Sequence, residues 1–370
     1  MARLIYFSRD YTTHDHRFLS ALARTDHDIF YMRLESGNIH LEDRPIPEGI
    51  EPITWAGGRK TIRVDDLQNL VPALNVAIQQ VKPDLIHAGP IQRSAYLVAL
   101  SGFQPLVSVS WGYDLIIDAN RSSEWERITR FTLEQSTTMI GDCNTIRQLA
   151  ISYGMPDERI VTFPWGIDLE LFSPTDIASV PDEQTFTLLS TRGWEPVYGV
   201  DVIARAFVKA SRKRPGLRLV MLGGGSQASL LERIFESGGV SEQVQFPGQI
   251  SQDQLPDIYR SADLYISASH SDGTSISLLE ALGCGCPVLA SDIPGNQEWI
   301  TPGVQGWLFP DADDNSLAQG ILHAVEQRDQ LPRMSRSARA LAEQRANWNV
   351  NFQQLLHAYR MTLHHSAASQ

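Results

Sequence analysis

Short apolar runs alternate along the chain with longer stretches whose apolar residues recur every three or four positions. The short runs have the length and β-branched character of buried strands, and the longer stretches have the period of helices packed on one face. In the first half, strands are expected at Arg3–Phe7, Ile29–Leu34, Asp84–His87, Pro105–Ser110, Thr138–Ile140 and Arg159–Phe163. Helical patterns at His16–Ala23, Asp65–Val81, Gln92–Leu100, Ser123–Gln135 and Thr145–Tyr153 fall between them. Strand and helix in repeated alternation mean parallel strands joined by crossover helices, an α/β fold.

The alternation pauses at FPWGIDLELFSP, Phe163–Pro174, which prolines bracket and the polar stretch TDIASVPDEQ follows. It then restarts. Strands are expected at Phe186–Ser190, Arg218–Leu222, Val244–Phe246, Leu264–Ser267 and Pro287–Ala290, and helices at Val200–Ser211, Gln227–Ser237, Gln254–Arg260, Ser275–Leu282 and Asn315–Gln327. The pattern predicts one domain over residues 1–172 and a second over 173–347. Residues 335–362 read as two further helices. The last carries an apolar stripe, Trp348, Phe352, Leu355, Leu356 and Tyr359, that must be buried. The second domain already has enough helices to cover its sheet, so the terminal helix, about 348–370, is expected to cross back onto the first.

The chain has 370 residues, 42% hydrophobic and 20% charged, enough apolar material for two cores. Its net charge is −12. There are 16 basic and 22 acidic residues up to 172 and 15 and 21 beyond it, so neither half is a basic nucleic-acid-binding unit. Three cysteines, Cys143, Cys284 and Cys286, make no disulfide framework and read as small buried thiols. No apolar run approaches the roughly 18 residues of a membrane span. MARLIYFSRD reads as a first strand rather than a signal peptide. These readings give the expectation of a cytoplasmic protein, at most peripheral to a membrane.

In α/β sheets of this kind, ligands sit outside the carboxyl ends of strands. The richest segment after a strand is SASHSDGTSISLLEALGCGCPVLASDIP, Ser267–Pro294. A polar loop with Asp272 leads to a helix start at Thr274, Ser275 and Ile276, where free N–H groups and the positive dipole end suit an anion. Glu280 lies eight residues after Asp272 among leucines and alanines. A carboxylate in such company pairs with an Arg or backbone donors, or accepts hydrogen bonds from a polar ligand such as a ribose diol. Arg192 follows the strand Phe186–Ser190, where bidentate contact to a diphosphate is possible. MLGGGSQA at 221–228 fits G-x-G-x-x-A, but no acid waits at the end of the next strand, Gln245-Phe246-Pro247. The glycines Gly223 and Gly224 therefore read as a tight turn beside a ligand rather than a dinucleotide fingerprint.

The Asp272-x7-Glu280 pair on a loop and helix resembles the signature of the retaining glycosyltransferases of family 4. LEALGCGCPVLASDIPGNQEWI, VTFPWGIDLELFSP and VQFPGQISQDQLPDIYRSADLYIS are similar to that family's neighbouring segments. The resemblance covers roughly Ile151–Phe309 well and the N-terminal half loosely. It implies the GT-B fold, two Rossmann-like domains facing a cleft, and a nucleotide-diphosphate sugar as co-substrate, with no cofactor and no metal. Glu280 would hold the donor ribose and Asp272, where Glu is more common, would sit against the donor sugar. Arg192 and the start of the helix at Thr274–Ile276 would bear the diphosphate charge. Tyr198 stands where the family usually has Lys.

The N-terminal domain would take the acceptor, a carbohydrate, a lipid-linked molecule or a small molecule. Its loop SRDYTTHDH offers His14 toward the ligand, with Asp15 as a helix cap. Two His flanking Asp15 suggest a metal, but no partner cluster follows. WGYD after Pro105–Ser110 places Trp111 where many members carry His, and leaves Asp114 as the nearest polar substitute; His87 and Arg93 lie close by. The expected activity is glycosyl transfer to an acceptor hydroxyl with retention, the candidate catalytic residues being Asp272, Asp114 and His14. A nucleotide-sugar epimerase of GT-B fold and a non-catalytic nucleotide-sugar binding protein are the alternatives.

Overall fold

In the computed structural model, residues 1–35, 42–58, 60–174 and 184–368 are described; most of the TDIASVPDEQ stretch lies outside them. The chain divides into two compact units, Met1–Phe163 with Phe352–Gln370, and Pro164–Asn351.

The first unit holds a parallel sheet of β1 (Arg3–Ser8), β2 (Asp28–Arg33), β3 (Ile50–Pro52), β4 (Leu85–Gly89), β5 (Leu106–Val109), β6 (Thr138–Gly141) and β7 (Ile160–Thr162). Their order is β3-β2-β1-β4-β5-β6-β7. In the second, β8 (Phe186–Ser190), β9 (Leu217–Leu222), β10 (Val244–Gly248), β11 (Leu264–Ser267), β12 (Val288–Ser291) and β13 (Gly306–Phe309) run in the order β10-β9-β8-β11-β12-β13. Both sheets reverse their direction of growth once, between β1 and β4 and between β8 and β11. Such a switch point opens a crevice at the carboxyl ends of its two strands, because their crossover helices go to opposite faces.

Strands buried on both faces explain the continuous apolar runs: β4, β5, β6, β11 and β12 have every residue buried. Two strands escaped the sequence pattern. β3 has three residues, two of them exposed, and β13 is GWLF with two residues half-buried, so neither shows a full apolar run. The stretch expected as one helix at Asp65–Val81 is a 3-10 turn, Val64–Leu70, followed by an α-helix, Val71–Val81, with Pro72 in its first turn.

The division between units falls at Phe163 rather than at 172. Ile167 and Phe172, fully buried, belong to the core beside Leu278, Leu282 and Ala338 of the second unit, and Arg339 donates hydrogen bonds to the carbonyls of Leu169 and Phe172. The final helix, Trp348–Ala368, leaves the second unit after Asn351 and packs on the first. Its Tyr359 hydroxyl lies 2.6 Å from His87 Nδ1, and Thr362 Oγ1 donates to Thr138 Oγ1 at 2.7 Å. Of the apolar stripe that demanded burial, Phe352, Leu355 and Tyr359 are buried there, while Leu356 and Trp348, the latter still in the second unit, are half-buried.

Candidate functional site

The loop after β8 and the loop after β11 meet at the switch point of the second sheet. Gly199 makes this possible. It has φ +58°, and a Cβ there would stand 2.1 Å from the carbonyl oxygen of Ala268, so only glycine lets the two loops touch. Gly295 does the same from the other side. A Cβ on it would lie 2.4 Å from the Gly273 carbonyl and 2.5 Å from that of Asp272. Below them Ser291 donates to the Ser269 carbonyl, and the buried Asn296 amide donates to the Ser291 carbonyl, which fixes the base of the loop.

Arg192 is the centre of the constellation. One guanidinium nitrogen lies 2.8 Å from Asp272 Oδ2; the two side chains are 12% and 19% exposed. Another donates to Ser275 Oγ at 2.8 Å and to Ser277 Oγ at 3.3 Å. The ring of Tyr198 lies 4.0 Å from the guanidinium carbon, a cation–π contact that holds its plane. Burial pushes the Asp272 carboxyl up and Arg192 pulls it back, with burial the larger effect. Asp272 was expected against a ligand; in the free protein it is the counter-charge of the arginine.

Ser275 occupies the N-cap of the helix Ile276–Gly283, yet its hydroxyl makes no cap bond; it is turned to Arg192. The N-cap residue's own side chain thus leaves this helix start uncapped. Its first-turn N–H groups therefore stand, with the positive end of the dipole, next to an arginine. Thr274 is buried in the same turn and Ile276 opens the helix.

Glu280 is 7% exposed on the next turns of the helix. It accepts a hydrogen bond from the Tyr259 hydroxyl at 2.9 Å, and that hydroxyl is 3.0 Å from Thr191 Oγ1, next to Arg192. Tyr265 donates to Ser277 Oγ at 2.9 Å. Glu280 thus joins the Arg192 cluster through tyrosines. Ser277, Tyr259, Tyr265 and Thr191 were not singled out in the sequence. Of these only Ser277, two residues after Ser275 at the start of an apolar helix, carried a local signal. The Gly223–Gly224 turn runs alongside: Gly224 O accepts from Trp194 N at 2.9 Å, and Gly223 N donates to Gly248 O at 2.9 Å.

The first unit spends its candidate residues differently. Asp114 is 2% exposed, with Oδ1 accepting from Ser110 Oγ and from Leu115 N and Oδ2 accepting from Ile91 N at 3.0 Å. Its carboxylate ties the loop after β5 to the one after β4, and burial raises it to about 6. Asp15 closes a capping box with Thr12 at the start of the helix Thr13–Leu22 and accepts from the Tyr6 hydroxyl at 3.0 Å; burial raises it too to about 6. His14 stacks on Trp111, ring centres 5.6 Å apart. His87 is buried against Tyr359, and burial lowers it to about 3, so it is neutral. At the carboxyl edge of β2 and β3 a pocket of about 280 Å³ is lined by Tyr11, Tyr31, Arg33 and Trp55 among others. Among the described residues no group of three or more His, Cys, Asp or Glu is placed to hold a metal ion, and no helix is long and apolar enough to cross a membrane.

Comparison with known proteins places the two halves separately. Residues 175–341 match the model "Glycosyl transferases group 1", and residues 3–143 match "Glycosyl transferase 4-like". Over 232 residues the chain is 30% identical to a D-inositol 3-phosphate glycosyltransferase of Nocardia farcinica, covering 59% of this chain and 51% of that protein. It is also 30% identical over 164 residues to the GtfA subunit of a UDP-N-acetylglucosamine–peptide N-acetylglucosaminyltransferase of Streptococcus pneumoniae, covering 44% of this chain and 31% of that one. The chain thus spans about half or less of the length of these relatives. Among solved structures, sucrose-phosphate synthase of Thermosynechococcus elongatus has TM-score 0.78 at 18% identity, covering 97% of this chain and 98% of that one. HepE of Anabaena in complex with UDP-glucose has TM-score 0.75 at 18% identity over the whole of both chains. The sheet topology and the solved structures give the chain the GT-B fold, and each of its two halves matches a glycosyltransferase family model.

Proposed function

We propose that the protein transfers a sugar from a nucleotide-diphosphate sugar to an acceptor hydroxyl with retention of configuration. The observation that carries this reading is the half-buried Arg192 at the β8–β11 switch point, hydrogen-bonded to Ser275 and Ser277 at a helix start that its N-cap Ser275 does not cap. Cation, hydroxyls and helix N–H groups converge where a diphosphate would lie.

In this reading the diphosphate takes over donors that Arg192 now gives to Ser275, Ser277 and Asp272. Displacing the Asp272 carboxylate frees it to turn toward the donor sugar. Glu280, held by Tyr259, accepts from the ribose hydroxyls. The glycosidic carbon exchanges its bond to the leaving phosphate oxygen for one to the acceptor oxygen on the same face, and the acceptor proton passes to the leaving phosphate. The protein's work is orientation and stabilisation of the departing charge. UDP-sugars head the donor candidates, because HepE was solved with UDP-glucose. The first unit supplies the acceptor surface, with His14 and Trp111 among its candidates. The reading needs no metal and no cofactor, since Arg192 and the helix start carry the charge.

A thermal-shift screen against UDP, GDP, ADP and TDP, then their sugars, tests it. Ligand at 100 times its dissociation constant adds about 2.7 kcal/mol of stability. Proton NMR of the product's anomeric centre then reads retention. No shift with any nucleoside diphosphate, or an inverted product, overturns the corresponding part.

A further inference from the structure

Three arginines gather at the carboxyl ends of β1, β4 and β5, at the switch point of the first sheet. Arg9 follows β1, Arg93 lies in the turn Ile91–Ala95 after β4, and Arg121 comes after the 3-10 turn Asp118–Asn120. Two shared contacts bring them together. Arg93 and Arg121 both stand over the Trp125 ring, at 5.7 and 5.0 Å from its centre. Arg9 pairs with the buried Glu35, whose other oxygen accepts from Ile62 N at 2.8 Å, while Arg93 donates to Ile62 O at 2.8 Å.

The charges are unevenly answered. Arg9 has Glu35 and, at 3.8 Å, Asp10, and Arg121 has Asp118 at 2.9 Å. Arg93, half-buried between them, has no carboxylate within 4.0 Å among the described residues, and its single hydrogen bond among them is to Ile62 O. A half-buried cation beside two others is an unfavourable arrangement until an anion joins it. Burial and the Arg9 and Arg121 charges lower the Arg93 guanidinium, and the more distant Glu35 and Asp118 carboxylates offset this only in part. The side chains of Arg9 and Arg121 are 44% and 45% exposed, so an anion can reach them.

We propose that Arg93, with Arg9 and Arg121, binds an anionic group, phosphate or carboxylate, carried by the acceptor. This rests on the reading of the first unit as the acceptor side, and it narrows the acceptor to charged molecules such as sugar phosphates or uronates. A planar fork next to a Trp face also suits a ring that carries the anion, since the indole offers an apolar platform.

The test is calorimetric titration of the full chain, saturated with UDP so that the diphosphate site is filled. Glucose 6-phosphate, glucuronate and glucose are the probes. Heat from either anionic sugar, absent with glucose, is the expected result. Arg93→Gln should weaken that binding about tenfold or more, the loss of one charge-assisted contact. Arg121→Gln, at an exposed position, should weaken it too, while Arg192→Ala without UDP should leave it unchanged. Glucose binding as well as the anions do, no binding of any probe at millimolar concentration, or equal affinity in the folded Arg93→Gln and Arg121→Gln variants would overturn the proposal. If UDP itself does not bind, the donor reading fails, and the anion titration still stands as its own answer.

Discussion

The two sheets share a strand order, yet they use polar residues at their switch points in opposite ways. At the β8–β11 end the polar groups bond to one another across loops and set an arginine at the start of a helix. At the β1–β4 end the carboxylates Asp15 and Asp114 are turned inward to N–H and O–H donors of their own unit, and His87 is closed off by the terminal helix. The second unit keeps its charges near a surface where a ligand can take them over. The first uses the same residue types to pin loops and leaves its arginines outward. A residue type at a strand end is thus not a role; the partners decide it.

The sharpest way to break this contrast is Arg192→Ala. Two or more charge-assisted contacts to phosphate go, so nucleoside diphosphate affinity should fall about a hundredfold or more, while affinity for the bare nucleoside changes little. Equal losses for both ligands, read by calorimetry, would place Arg192 away from the diphosphate.

Asp114→Asn probes the other pole. An amide has one acceptor oxygen for donors that now use two, so stability should drop by about 1–3 kcal/mol with donor affinity untouched. The pH dependence has a definite sign. The folded carboxyl titrates near 6 and the unfolded one near 4, so the native state holds the proton more tightly between them. The wild-type advantage is therefore fully present below the unfolded value and shrinks as pH rises through 6, a trend denaturant titrations at pH 4.5 and 7 can read as about 1–3 kcal/mol. An advantage that grows with pH would mean that the hydrogen bonds, not burial, dominate this carboxylate.

Glu280→Gln should lower donor affinity about tenfold, since the amide keeps the Tyr259 contact and loses charge toward a ribose diol. Unchanged nucleotide affinity in a folded variant would leave Glu280 as a structural partner of Tyr259 alone. The smallest effect belongs to Tyr198→Phe: the ring remains over Arg192, so diphosphate affinity should stay within about twofold. A large loss would show that the hydroxyl itself reaches the phosphate.

Much of this was legible in the sequence because it rests on local pattern. The apolar runs mark nearly every strand, and the stripe from Phe352 to Tyr359 announces a helix that needs a second surface. Asp272 and Arg192 follow strand ends, where chemistry collects, and Glu280 stands out as a carboxylate among the apolar residues of the helix after Asp272. The short, half-exposed β3 and β13 have too few buried positions to make a run. Tyr259 was invisible as a partner of Glu280 because the contact spans 21 residues and depends on two helices packing. The fate of Asp114 was invisible for the same reason: its decisive donor, Ile91 N, arrives from the loop of a neighbouring strand.

Hydrogen–deuterium exchange of the full chain with and without UDP tests the central claim most directly. The account predicts that UDP slows exchange in the segments Thr191–Gly199 and Ala268–Gly283, the two loops and the helix start around Arg192. Exchange left unchanged in both segments while UDP is bound would contradict it.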